Sequence, residues 1–151
     1  MALIKKWFGE TTKYQKKVKA LVEELSPDQE LYAHSGRVAC KFLSNNELYT
    51  LAWVHDLVED GFGTLDKISR RFSLSEDQKN ALDALTRRKG EGYFRYIHRV
   101  KQNYRAVAVK LMDLEDNIFR CSLDVASKWS LLERYAKAYG TLIGEKKDEV
   151  L

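Results

Sequence analysis

The sequence contains few of the residues that interrupt regular structure. Its 151 residues include a single proline, Pro27, and only eight glycines. Folds made of many short strands need proline and glycine at their turns, so this scarcity argues against a β-sandwich or β-barrel. The composition therefore favours long helices.

Cysteine is also scarce, and long apolar runs are absent. Cys40 and Cys121 have neither C-x-x-C spacing nor the even, clustered pattern of a disulfide framework, which is typical of a reducing compartment. No stretch approaches the roughly 20 consecutive apolar residues of a membrane span. The first ten residues, MALIKKWFGE, lack the apolar region of a signal peptide. We expect a cytoplasmic protein that has no membrane as a partner.

The charge is modest and mixed in sign. The chain has 26 basic and 22 acidic residues, for a net charge of +4, and 44% of its residues are hydrophobic. This is the profile of a globular protein whose surface suits an anionic small molecule. Nucleic acid is not expected as a partner, because no dense basic run is present.

Apolar periodicity predicts an all-α protein of seven or eight helices packed in one compact bundle. We find no internal repeat or linker and therefore expect a single domain over residues 1–151. Ser26 is expected to cap a helix that begins at Pro27, and Ser75 with Gln78 resembles a capping box. The helices are expected at about 11–25, 27–43, 47–60, 64–72, 75–89, 93–100, 104–123 and 127–143.

Ionisable side chains interrupt the apolar stripe of the third predicted helix. Its stripe has the spacing of a core-facing helix surface and consists of Leu48, Leu51, Ala52, His55, Val58 and Glu59. A buried charge needs a metal, a partner or a water-filled cleft. Asp56 lies next to His55, and Asp60 lies next to Glu59. The segment HDLVED therefore predicts a site that uses one imidazole and three carboxylates.

Two further helices place similar groups beside their apolar faces. His34 shares a stripe with Leu31, Val38 and Phe42, and Asp113 lies on a face with Lys110 and Asn117. Two imidazoles and two carboxylates suit one divalent cation such as Mn²⁺, Fe²⁺, Zn²⁺ or Mg²⁺. A mixed site of this kind is typical of catalysis more than of structural metal binding.

The order of these residues resembles a known family. His34, then HDLVED at 55–60, then KLMDLEDN at 110–117 follow the pattern H…HDxxED…KLAD(x)3N, with Met112 in place of alanine. This pattern is similar to that of HD-domain phosphohydrolases, specifically the hydrolase domain of RelA/SpoT-type enzymes and their stand-alone small homologues. The motif-bearing core covers about residues 26–123.

The resemblance implies an HD-domain fold and a set of residue roles. The metal ligands would be His34, His55, Asp56 and Asp113, and the metal in this branch is typically Mn²⁺. The acidic pair Glu59 and Asp60 would orient and activate the attacking water. Lys110 and Asn117 would shape the pocket beside the substrate. The resemblance thus implies an enzyme in which a metal-activated water attacks phosphorus.

The segment around the first histidine departs from the family. The family has P-Y-x-x-H-P there, whereas this chain has SPDQELYAHS, so guanine specificity is the property put in doubt.

A second segment, LTRRKGEGYFRYIHRV, offers side chains that can clamp phosphate or stack on a base. From it we predict substrate contacts by Arg87, Arg88, Tyr93 and Arg99.

Three functions are compatible with these residues. The first is hydrolysis of a phosphate or pyrophosphate from a small-molecule nucleotide, with a guanosine 3′-pyrophosphate alarmone as the best candidate and another nucleotide next. The second is a metal-holding module that binds a nucleotide without cleaving it. The third treats the motif as coincidence in an interaction protein. The oligomeric state is left open, with a homodimer as one alternative.

Overall fold

The structure is a computed structural model that describes residues 11–144. All regular structure within that range is helical, which confirms the predicted all-α class. The interpretation of residues 1–10 lies outside the described residues. The eight α-helices within the described range are α1 (Lys13–Glu23), α2 (Gln29–Ala39), α3 (Asn46–Val54), α4 (Leu65–Arg71), α5 (Glu76–Leu85), α6 (Tyr93–Lys101), α7 (Tyr104–Ser122) and α8 (Val125–Ile143), with a 3₁₀ turn at Cys40–Phe42 after α2.

Side-chain caps determine where most helices begin. The Ser75 hydroxyl accepts a hydrogen bond from the Gln78 backbone, and the Gln78 side chain accepts one from the Ser75 backbone. This reciprocal pair is the capping box that the sequence predicted at the start of α5. The Thr64 hydroxyl likewise accepts a hydrogen bond from the Lys67 backbone and caps α4. Each cap satisfies an N–H group that the helix itself leaves unpaired.

The predicted start of α2 was wrong. Ser26 does not cap the helix, because its backbone lies in the left-handed region with φ of 51°. The cap is Asp28, whose carboxylate accepts a hydrogen bond from the Leu31 backbone. Aspartate is as good an N-cap as serine. The helix therefore begins at Gln29, two residues later than the predicted start at Pro27.

Helix α3 lies at the centre of the molecule. All residues from Tyr49 to Val54 are buried, in contact with α1, α2, α5 and α7. The sequence predicted one buried stripe on this helix, but the helix is buried on every side. A central helix of this kind places the residues that follow its end deep inside the protein.

The helix was predicted to continue to Asp60, and this was wrong. It ends at Val54, and residues 55–61 form successive turns. The Leu57 N–H bonds to the Val54 carbonyl, the Phe62 N–H bonds to the Leu57 carbonyl, and Gly61 has φ of 84°. A glycine adopts positive φ at little steric cost, so Gly61 can close this series of turns. HDLVED therefore lies on a tight turn, with Glu59 exposed and His55 buried.

Helices α7 and α8 form a long antiparallel pair that completes the bundle. Helix α7 also contacts α2, α3, α5 and α6. Its buried residues Ala106, Val109 and Leu114 anchor it in the core. Asp113, beside Leu114, is thereby held against α2 and the end of α3.

None of the helices in residues 11–144 is both long and apolar enough to cross a membrane.

Candidate metal centre

Four ionisable side chains from three parts of the chain meet in the interior. His34 comes from α2, His55 and Asp56 from the turn after α3, and Asp113 from α7. One potential ligand atom from each residue lies within 4.8 Å of all the others. The structure thus brings together the four residues that the sequence predicted as a metal site, and this group, called the His-Asp cluster below, can hold a metal ion.

The spacing within the His-Asp cluster fits a single divalent cation. His34 Nε2 lies 2.9 Å from Asp113 Oδ1 and 3.7 Å from Asp56 Oδ2. His55 Nε2 lies 3.2 Å from Asp56 Oδ2 and 3.6 Å from Asp113 Oδ1. Metal–ligand bonds of about 2.0–2.2 Å place neighbouring ligand atoms roughly 3.0–3.6 Å apart. The four atoms already stand at nearly these separations.

His55 turns its Nε2 toward the carboxylates of the cluster, which raise the pKa of the imidazole well above its usual value. Its Nδ1 lies 2.6 Å from the carbonyl oxygen of Ala52. A carbonyl can only accept, so Nδ1 carries a hydrogen, and Nε2 is the nitrogen that can bind a metal. His55 Nε2 is fully buried and makes no hydrogen bond within residues 11–144. A buried, unpartnered imidazole nitrogen is what a metal ligand requires.

His34 is oriented by a carboxylate that the sequence reasoning missed. Its Nδ1 donates to Asp116 Oδ2 at 2.7 Å, and Arg37 holds the same carboxylate. Burial raises the pKa of Asp116, but the hydrogen bonds from Arg37 and His34 outweigh burial and lower it. The available signal was the acidic residue three positions after Asp113, on the same side of α7.

Lys110 and Asn117 both bind Asp113. The Lys110 Nζ lies 2.6 Å from Asp113 Oδ2, and the Asn117 amide donates to Asp113 Oδ1 at 2.9 Å. Burial alone would raise the pKa of Asp113, but Lys110 and the two histidines hold it well below its usual range. Both residues also line the adjacent cleft.

A cleft of about 360 Å³ opens over the His-Asp cluster. Among the described residues, Glu59 lines this cleft, whereas Asp60, which was predicted to act with it, does not. Burial and then the charge of Asp56 raise the pKa of both Glu59 and Asp60 above the ordinary carboxyl value. Of the two, Glu59 is the one placed to accept a proton from a water in the cleft.

The wall opposite the carboxylates is basic and aromatic. Arg87 and Tyr93, both predicted as substrate contacts, line the cleft, and so do Arg134 and Tyr135 of α8. The Arg134 guanidinium lies over the Tyr93 ring, 4.6 Å from its centroid. Within the described chain, the Arg134 Nε and the Tyr93 hydroxyl are buried without a hydrogen-bond partner. Nothing in the sequence marked Arg134 or Tyr135, because α8 carries no motif.

Arg88 and Arg99, which were also predicted to contact substrate, do not line this cleft. Arg99 lies partly buried elsewhere and binds both oxygens of Glu91 and the carbonyls of Asp83, Ala84 and Thr86. The Arg88 side chain is 61% exposed, with its guanidinium 3.4 Å from Asp83. An arginine whose donors are all bonded within the protein has none left for a phosphate.

The cleft therefore combines a cation-binding centre, a carboxylate beside it and unpaired donors on the facing wall. Such an arrangement can bind an anion and activate a water next to it. Comparisons with protein-family models and with curated proteins found no match to this chain.

Proposed function

We propose that this protein is a metal-dependent phosphohydrolase of the HD-domain type that acts on a nucleotide. One observation carries the proposal: one potential ligand atom from each residue of the His-Asp cluster lies within 4.8 Å of the others, and three of these residues line a cleft that basic side chains also line. A buried group of two imidazoles and two carboxylates is costly without a cation. Basic side chains in the same cleft can hold phosphate oxygens.

Mn²⁺ is the metal that we propose, with Fe²⁺, Zn²⁺ and Mg²⁺ as alternatives. The donor set mixes nitrogen and oxygen, and it contains no sulfur among the described residues of the cluster. Two imidazoles are more than Mg²⁺ usually accepts, and two carboxylates make the site harder than a typical Zn²⁺ site. His34, His55, Asp56 and Asp113 would hold the ion.

The bound metal would lower the pKa of a water and withdraw charge from a phosphoryl oxygen. Glu59 takes the proton of the attacking water, for which its raised pKa and its position in the cleft wall suit it. The water oxygen bonds to phosphorus while the bond from phosphorus to the leaving oxygen breaks. Lys110, Arg87 and Arg134 bind the phosphoryl oxygens as their negative charge grows. Asp60 supports Glu59 electrostatically.

A guanosine 3′-pyrophosphate is the substrate that we favour. The cleft is lined by the exposed carboxylates of Asp28 and Glu30 and by less exposed cations, Arg87, Lys110 and Arg134. Guanine presents adjacent N1–H and N2–H donors, which one carboxylate can accept together. Tyr93 and Tyr135 offer ring faces to a base or ribose. The alternative substrate, which these carboxylates favour less, is an adenosine nucleotide with the same phosphates.

The decisive measurement is release of phosphate or pyrophosphate from a panel of guanosine and adenosine nucleotides. We expect release with Mn²⁺, loss of release with a chelator, and recovery when Mn²⁺ is returned. His55→Ala should abolish release, because it removes the one unpartnered nitrogen of the cluster. His98→Ala is the matched control, since His98 lies exposed on α6.

Two outcomes would count against the proposal. Release that persists in the chelator and in His55→Ala would exclude the mechanism. Tight nucleotide binding without turnover, in protein that holds stoichiometric metal, would instead support a binding module. Glu59→Gln separates these cases further, because it should retain metal and nucleotide while turnover falls by at least about 100-fold.

A further inference from the structure

We propose that Asp116 is a positioning residue for the metal centre and acts through His34, with Arg37 holding it in place. This inference rests on the metal site of the proposed function. It concerns which tautomer and orientation His34 presents, and it needs no assumption about the substrate.

The geometry joins three side chains from two helices. His34 Nδ1 lies 2.7 Å from Asp116 Oδ2, and this contact spans α2 and α7. The Arg37 Nε lies 2.6 Å from Asp116 Oδ1, and its Nη2 lies 3.0 Å from Oδ2. Both oxygens of the carboxylate are thus held by one guanidinium, which fixes the plane of the carboxylate.

The consequence for His34 follows from its two nitrogens. An ionised carboxylate only accepts hydrogen bonds, so Nδ1 must carry a hydrogen, and Nε2 is the nitrogen left to supply a lone pair when a metal binds. His34 Nε2 faces the cluster, 2.9 Å from Asp113 Oδ1. A carboxylate behind a metal-binding imidazole also raises its basicity and fixes the ring. His55 obtains the same fixation from the Ala52 carbonyl, which is neutral.

Arg37 adds a link to the outer surface. Its side chain is 47% exposed, whereas that of Asp116 is 11% exposed. It also lines, together with Asp116, a second and mostly apolar groove of about 710 Å³. The orientation of a buried metal ligand therefore depends on an arginine that solvent can reach.

The test is the Mn²⁺ affinity of Asp116→Asn, measured by calorimetric titration at one pH. Asparagine has the same size but only one oxygen, so its amide N–H must face either Arg37 or His34, both of which are donors. We expect Mn²⁺ binding to weaken by about 10- to 100-fold. Glu115→Gln is the matched control, because this exposed carboxylate on the same helix bonds to Tyr139 and should leave Mn²⁺ affinity unchanged.

A second readout separates positioning from a structural role. Pulsed electron paramagnetic resonance of the Mn²⁺-loaded protein should show two coupled imidazole nitrogens in the wild type and one in Asp116→Asn. Two nitrogens and an unchanged affinity in this variant, even with a lower Tm in the chelator, would overturn the inference.

Arg37→Gln covers the case in which Asp116→Asn fails to fold. Since Arg37 is half exposed, this variant should fold, and it should weaken Mn²⁺ binding by about 3- to 10-fold. Arg71→Gln breaks a comparable surface ion pair with Glu24 and should have no such effect. Equal Mn²⁺ affinity in Arg37→Gln, Arg71→Gln and the wild type would overturn the inference.

The outcomes distinguish this inference from the proposed function. If the wild type binds Mn²⁺ and hydrolyses nucleotides but Asp116→Asn is unchanged, only the inference fails. If Mn²⁺ binds and weakens as expected without hydrolysis, the inference stands and the phosphohydrolase assignment fails. A wild type that binds no Mn²⁺ overturns both.

Discussion

Two partly buried polar groups lie a short distance apart in this bundle, and they differ in how far their hydrogen bonds are satisfied. In the Arg99 cluster, formed by Arg99 and Glu91 with three backbone carbonyls, the guanidinium makes five hydrogen bonds of 2.8–3.2 Å. In the His-Asp cluster, His55 Nε2 is buried without a partner in the described part of the chain, and two carboxylates approach each other.

The difference separates a polar group that is satisfied within the protein from one that is not. A guanidinium has five N–H donors, and those of Arg99 are all bonded within the protein, where they join the end of α5 to α6. Its contribution is to folding. In the His-Asp cluster, Lys110 and Asn117 donate to Asp113, but two carboxylates lie close together and His55 Nε2 makes no hydrogen bond among the described residues. A cation bound between these groups would relieve the repulsion between the carboxylates.

The largest expected effect is on Mn²⁺ binding in Asp56→Ala. Loss of one of four ligands should weaken Mn²⁺ binding by more than about 100-fold, since even residues behind the ligands cost 10- to 100-fold. In chelator, the free energy of unfolding should change by no more than about 1 kcal/mol, because the attraction of Asp56 to the histidines is partly offset by burial of its carboxylate and by repulsion from Asp113. Calorimetric titration and urea unfolding measure the two quantities. A large loss of stability with retained Mn²⁺ affinity would instead indicate that Asp56 acts in folding.

Arg99→Ala should show the opposite pattern. The free energy of unfolding should fall by about 2–4 kcal/mol, because Glu91 and three carbonyls lose their donor. Mn²⁺ affinity of the folded protein should stay within about 3-fold of the wild type. Arg95→Ala, an exposed change on the same helix, should cost less than about 0.5 kcal/mol and serves as the control. Equal stabilities of the two variants would show that the Arg99 cluster is not structural.

A smaller, pH-dependent effect is expected for Glu91→Gln. The hydrogen bond from Arg99 lowers the pKa of Glu91 from 4.5 to about 2. A lowered carboxyl pKa stabilises the fold above about pH 4.5, and this contribution is lost as the pH falls toward about 2. The wild type should therefore exceed the variant in stability near neutral pH, and the gap should close in acid. Urea unfolding at several pH values measures the gap, and a constant gap would contradict the assigned pKa.

Arg88→Ala should have the smallest effect. Its side chain is mostly exposed, and its one ion pair, to Asp83, is long at 3.4 Å. Such pairs contribute about 0–1 kcal/mol, so both stability and nucleotide turnover should stay close to wild type. Steady-state kinetics across nucleotide concentrations check the second point. A clear rise in the KM of Arg88→Ala would support the prediction that Arg88 contacts substrate.

Motif spacing predicted the cluster more successfully than it predicted helix ends. His34, His55, Asp56 and Asp113 converge as expected, although the helix thought to carry HDLVED stops at Val54. The four side chains still meet because His55 keeps helical backbone angles, with φ of −56° and ψ of −31°. Residues 55 and 56 therefore point much as a continuing helix would have placed them.

The contacts around the cluster could not be predicted in the same way. Arg87, Arg88 and Arg99 have similar charges and neighbours in sequence, yet Arg87 lines the cleft, Arg88 is exposed and Arg99 is bonded within the protein. A long, flexible cation adopts whichever position its tertiary neighbours satisfy. Arg134 enters the cleft only because α8 folds back along α7.

The sequence by itself determined the helical class, the capping box at Ser75 and the set of four clustered donors, because helix periodicity, capping and motif order can be read from residue types and their spacing. Only the tertiary structure decided that Asp116 stands behind His34, that Glu59 rather than Asp60 lines the cleft, and that Arg99 belongs to the fold. These depend on which helices pack together, since a hydrogen bond between residues 34 and 116 joins positions far apart in the chain.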